Sequence, residues 1–200
     1  MICARKNCVY AFFVVFFICT QGIAAAAFAK GGKEDKPLNS SNSASVEPAN
    51  EFQWKEHQKL SWEDFRGSVN ATSDESAAAT HCGIGFKVNS PDTKGKPEIT
   101  VYNTFYTNKS WVRSDAKMAS ILVHEQGHFD LCEIYTRRLR TLMNNFDFHV
   151  ADARGSLMAI FSKVNDEYEL RQQAYERETT HGTNEEQQKK WLQIISSELN

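Results

Sequence analysis

Glycine and proline are scarce, with Gly 10 and Pro 4 in 200 residues. That excludes collagen-like and turn-repeat all-β architectures. There is no excess of basic charge: the formal net charge is −2 and the isoelectric point about 6.3, so nucleic acid is not an expected partner. A mean hydropathy of −0.51 excludes a multi-span membrane protein. Hydrophobic residues at 41%, aromatics at 12% and charged residues at 24% are globular proportions, which excludes a wholly disordered chain.

The longest apolar run is itself short. Val9–Cys19 holds eleven uncharged residues behind Arg5 and Lys6, fewer than the ~20 a membrane-spanning helix needs. Ala27-Phe28-Ala29 closes the segment. A positive start, an apolar middle and an A-x-A end form a secretory signal peptide, so residues 1–29 are expected to be cleaved. The protein is then exported, to the periplasm or the medium, with no membrane attachment after cleavage. Residues 30–50 are rich in Ser, Asn, Gly and Lys and read as a linker. Residues 51–200 are left as one domain with a real core. Two cysteines remain there, Cys82 and Cys132. An exported chain permits a disulfide between them, but their spacing decides neither for nor against it.

The pattern along the domain is strands first, then helices. Residues 52–67 carry Trp54, Leu60, Trp62 and Phe65, anchors for the core. CGIGFKV, within residues 77–89, reads as a strand. SPDTKGKP at 90–97 is a turn cluster, and Ile99–Thr107 is a β-branched, aromatic strand. An antiparallel hairpin is the simplest pairing. From Ser114, read as a helix cap, the period becomes helical to about Asn145. Met118, Ile121, Leu122, Phe129, Cys132, Tyr135, Leu139, Leu142 and Phe146 form one apolar stripe there. Further helices are expected at about 151–179 and from Asn184, where Glu185 and Glu186 fill the first turn and Gln187 is placed for a capping box. The expected class is α+β, a small antiparallel sheet followed by a helical half.

One motif carries chemistry. His124-Glu125-Gln126-Gly127-His128 is an H-E-x-x-H sequence. On a helix, residues i and i+4 share a face, so both imidazoles can reach one Zn2+ ion. Zinc generates a nucleophilic water near neutral pH, and Glu125 is placed to take that water's proton. Glu125 also falls inside the apolar stripe, where a carboxylate without a partner is costly. The third ligand must come from elsewhere. Asp130 and Glu133 are badly angled on the same helix, and Ile134 stands where an extended motif would have a third histidine. The other histidines are His57, His81, His149 and His181. His81 beside Cys82 makes a poorer metal pair, on a strand. His181 lies at the end of the second helix, before the stop residue Gly182, where it also reads as a capping cation. Glu178, one turn earlier, can ligate instead or support a ligand, or be a surface charge. Tyr175 is a candidate donor to the oxyanion or a core tyrosine. The Arg137, Arg138 and Arg140 run reads as a solvated face able to pair with Asp130 or Glu133. Ile99–Thr107 can accept an extended peptide as an added strand.

HEQGHFDLCEIYTRRLR at 124–140, YERETTHG at 175–182, LSWEDFRG at 60–67, AAATHCGIGF at 77–86 and KSWV at 109–112 resemble a bacterial family catalogued as domain of unknown function 922. That family is described as predicted secreted zinc-dependent proteases. The resemblance implies a zincin-like metallopeptidase that uses His124, Glu125 and His128. It implicates Glu178 and His181 together without choosing between them. The expectation is an exported zinc metallopeptidase acting on a peptide or protein substrate. The alternatives are an exported zinc-stabilised binding module and a zinc hydrolase acting on cell-wall amides.

Overall fold

The computed structural model describes residues 49–69, 76–89 and 97–200. The expected signal peptide, most of the linker and the turn cluster after Asn89 lie outside them. Residues Ala49–Asn200 form one compact unit. The hairpin is formed by β3 (Cys82–Asn89) and β4 (Glu98–Tyr106). They pair antiparallel along their whole length, from Cys82 opposite Phe105 to Asn89 opposite Glu98. β1 (Glu51–Phe52) pairs with the end of β4, giving the order β1-β4-β3. A separate two-stranded ribbon joins β2 (Ala78–Ala79) to β5 (Trp111–Val112). β4 is therefore the middle strand. β1 covers only Phe105 and Tyr106 of it, so Glu98–Thr104 has a strand partner on one side alone.

The helical half is α1 (Ala119–Asn144), α2 (Ala153–Thr179) and α3 (Glu185–Leu199). The class is α+β with a small antiparallel sheet, as expected. Ser114 does not cap α1. Ser114–Ala116 is a separate 3-10 turn that buries Ala116, and α1 starts after Met118, which has extended backbone and makes no side-chain cap bond. Asp152 caps α2 by accepting from the Gly155 amide. Asn184 caps α3 by accepting from the Gln187 amide, as the sequence indicates.

The stripe on α1 is only partly right. Phe129, Cys132, Leu139 and Phe146 are buried, but Met118 and Leu142 are exposed, while Leu131 and Met143 are buried outside it. The reason is that α1 is the central element and packs against the sheet, the β2 ribbon, α2 and α3. One cluster joins Phe105, Phe129 and Tyr168 on the sheet side; another joins Leu131, Tyr175, Trp191 and Ile195 on the α3 side. A helix covered on several sides buries more than one stripe. From His124 to Glu133 only His128 is not fully buried. Polar residues there must find partners, and they do. Asp130 accepts from Trp54 Nε1 and Gln126 Nε2 at 2.7 Å each, and Gln126 Oε1 accepts from the Leu60 amide at 2.7 Å. These bonds tie residues 52–65 to α1. Glu133 accepts from Asn103 and Arg137, and Arg138 pairs with Glu167. Cys82 and Cys132 are both buried free thiols. The Cys82 thiol points at the His128 carbonyl oxygen, 3.7 Å away, and lies 3.4 Å from the Tyr168 hydroxyl.

No helix among the described residues is long and apolar enough to cross a membrane.

Candidate metal centre

His124 and His128 lie on the same face of α1, one turn apart, with ring centroids 4.7 Å from each other. Opposite them is the last turn but one of α2. Its Glu176 Oε2 lies 3.0 Å from His124 Nε2 and 3.1 Å from His128 Nε2, and the two nitrogens are 3.1 Å apart. These three atoms form a nearly equilateral triangle, which makes His124, His128 and Glu176 the set that could hold a metal ion among the described residues.

The surrounding hydrogen bonds fix which nitrogen of each ring carries a proton. The His124 carbonyl can only accept, so the Tyr175 hydroxyl 3.0 Å away donates to it. The tyrosine oxygen then accepts from Gln188 Nε2 at 2.7 Å. That turns Gln188 Oε1 towards His124 Nδ1, 3.0 Å away, so Nδ1 is the protonated nitrogen. The second ring follows the same logic. Gln172 Nε2 donates to the His128 carbonyl at 2.9 Å, which leaves Gln172 Oε1 to accept from His128 Nδ1 at 2.6 Å. In the neutral rings both Nε2 lone pairs therefore face the Glu176 oxygen. Three acceptors at this spacing repel unless a cation lies between them.

In the metal-free chain a proton takes that place. Burial opposes a charge on His128. The Glu176 carboxylate bonded to it outweighs burial, and the Glu125 charge adds to the effect, so its pKa is pushed up to about 9. Burial likewise opposes ionisation of Glu176, but its hydrogen bonds to His124 and His128 hold it far below the usual carboxylate range. A metal ion could be held in the same place. Donors ~2.0–2.1 Å from a tetrahedral zinc stand about 3.3 Å apart, within a few tenths of an ångström of the observed edges. Two imidazoles and one carboxylate are a catalytic zinc donor set, and glutamines bonded to the outer ring nitrogens are the support such ligands need.

Glu125, between the histidines, is 3% exposed. Its Oε2 is buried and meets no hydrogen-bond partner among the described residues. Glu125 thus carries a buried acceptor with nothing bonded to it, next in sequence to His124 of the triad.

Two glycines make this packing possible. A Cβ at Gly127 would lie 2.2 Å from the Tyr175 hydroxyl oxygen, so only glycine lets the tyrosine reach the His124 carbonyl. Gly182 has φ +77°, and a Cβ there would lie 2.8 Å from His124 Cβ.

The motif residues His124, Glu125 and His128 come together as the sequence indicates. The other expected residues are placed differently. The Glu178 carboxylate accepts from Trp191 Nε1 at 3.0 Å and takes no part in the triad. His181 is outside it too, and its Nδ1 bonds the other oxygen of Glu176, Oε1. Tyr175 is fully buried. Its hydroxyl is taken up by the His124 carbonyl and Gln188, and burial raises its pKa well above the usual tyrosine value. Glu176 is the member of the triad that the sequence reading does not name, and helical spacing does not single it out: Glu176 and Glu178 flank opposite sides of the face formed by Tyr168, Gln172, Tyr175 and Thr179.

A family model described as a bacterial protein of unknown function, DUF922, matches residues 49–182. No curated protein and no solved structure matches the chain. The match takes in the whole triad and the glutamate between its histidines, and the chain belongs to the DUF922 family.

Proposed function

We propose that this protein is an exported zinc metallopeptidase of zincin-like architecture. The observation that carries the reading is the triad of His124 Nε2, His128 Nε2 and Glu176 Oε2, all lone pairs inward, together with the buried, unpartnered oxygen of Glu125 between the two motif histidines in sequence. Held by these residues, zinc would lower the pKa of a water towards ~7 and polarise a carbonyl. Glu125 accepts the proton of the attacking water at its free oxygen and returns it to the leaving nitrogen. Gln188 and Gln172 keep the two imidazoles in the ligating tautomer throughout. Three protein donors among the described residues leave a position for water and substrate, which favours catalysis over a purely structural metal. Export rests on the N-terminal sequence, and a peptide substrate on the H-E-x-x-H motif.

Glu125→Gln tests the mechanism. The variant is expected to keep about one zinc per chain while hydrolysis of a casein or peptide-library substrate falls ~10²–10⁴-fold. Undiminished hydrolysis in the variant would refute the assignment of Glu125 as the base.

A further inference from the structure

His181 occupies an unusual place. The chain leaves α2 through three successive left-handed residues, Thr180 (φ 49°), His181 (φ 56°) and Gly182 (φ 77°). Left-handed backbone is costly for a histidine and persists only where its surroundings hold it. What holds it here is the end of α2. The His181 amide donates to the Glu176 carbonyl at 3.1 Å, and the Gly182 amide donates to Thr179 Oγ1 at 3.3 Å. The outcome of the turn is that His181 Nδ1 meets Glu176 Oε1 while Oε2 faces the two motif histidines. The side chains become more exposed outward through the cluster, from His124 at 3% through His128 at 16% and Glu176 at 21% to His181 at 43%.

Resting on the metal-site reading above, we infer that His181 is a positioning residue: it occupies Glu176 Oε1 so that the carboxylate offers a metal one oxygen, not two. Monodentate ligation matters for chemistry. A carboxylate that takes a second position fills coordination space that water and substrate need. A partner bonded to a ligand's outer atom also fixes its orientation and strength. His181 has the donor for this role and, at the rim, the access to keep it when a metal is bound. No other described residue is bonded to Glu176 Oε1.

The test uses the full chain loaded with zinc or cobalt(II), comparing wild type, His181→Ala and His181→Asn. Asparagine tolerates left-handed backbone and places an N–H donor where Nδ1 stands. Zinc affinity is read by competition with a chromophoric chelator, and coordination number from the intensity of the cobalt d–d bands. His181→Ala is expected to bind zinc ~10–100-fold more weakly and to show the fainter bands of higher coordination. His181→Asn is expected to restore both towards wild type. Wild-type affinity and spectrum in His181→Ala would overturn the inference. So would a loss in both variants as large as that of His124→Ala, which would make His181 a ligand. If wild type itself takes up neither metal, the metal-site reading fails, and this inference with it.

Discussion

Replacing Gly127 with alanine sets two effects of opposite sign against each other. In an exposed helix interior the change would stabilise by about 1 kcal/mol, because glycine is the poorer helix former. Here the new methyl carbon would sit 2.2 Å from the Tyr175 hydroxyl oxygen and 2.7 Å from its Cζ, far inside contact distance. Tyr175 is fully buried and packed at 4.8 Å against the rings of both His124 and His128, so it has little room to retreat. Overpacking of this kind costs ~1–3 kcal/mol. Moving the ring also breaks the bonds from Tyr175 to the His124 carbonyl and from Gln188 to Tyr175, worth about 1 kcal/mol each. Set against the helix gain, the net expectation is a destabilisation of roughly 2–4 kcal/mol. For a domain of this size that lowers the thermal midpoint by roughly 5–15 °C. The second readout is zinc affinity. Once Gln188 is no longer oriented by the tyrosine, His124 Nδ1 loses its fixed acceptor, and affinity should fall ~10–100-fold. Scanning calorimetry on the metal-free protein and chelator competition on the loaded one measure the two. A raised midpoint with unchanged zinc affinity would refute the proton-ordering chain from His124 through Tyr175 to Gln188.

Two further outcomes follow from the same geometry. Glu176→Ala should lower zinc affinity at least ~100-fold, whereas Glu178→Ala should leave it within about threefold and cost only the ~1 kcal/mol of the Trp191 bond; equilibrium dialysis with metal analysis separates the two, and the reverse ranking would restore Glu178 as the ligand. In the metal-free protein His128 titrates at about 9, above its unfolded value of ~6.5. Its contribution, about 3 kcal/mol, is fully present below ~6.5 and lost as pH rises through about 9. Urea denaturation should therefore show the metal-free chain weakening between pH 7 and 9. Over the same range zinc affinity should rise about tenfold per unit, since binding expels that proton. Affinity flat across this range would contradict the proton held between His128 and Glu176.

Much of the architecture is written in local pattern. β3 and β4 announce themselves by β-branched and aromatic residues, and Asn184 starts its helix as capping chemistry demands. The two histidines of the motif are readable because helical spacing alone places them together. What the sequence hides is rotation. Whether Glu176 or Glu178 faces α1 depends on how α2 is turned about its axis, and that is set by contacts of Tyr168, Tyr175 and Thr179 with residues 51 to 86 positions earlier. The fate of Ser114 is hidden for a similar reason. Its own turn would serve as a helix start, but burial of Ala116 closes a 3-10 turn first. The stripe on α1 misleads where the helix is enclosed, because polar residues such as Gln126 and Asp130 are buried there through bonds to Trp54 and Leu60.

The bond from His124 Nδ1 to Gln188 Oε1 has a consequence in time. The donor atoms end at Glu176, yet the residue that sets the His124 tautomer lies twelve positions later, in the first turns of α3 and beyond the residues the family model matches. As the chain emerges, the motif helix and then the third donor become available before the part that orders them. A chain folded only as far as α2 holds the right atoms with an imidazole still free to present the wrong nitrogen. On the metal-site reading, docking of α3 would be the event that arms the centre, and an ion arriving earlier would meet a weaker site than one arriving after it.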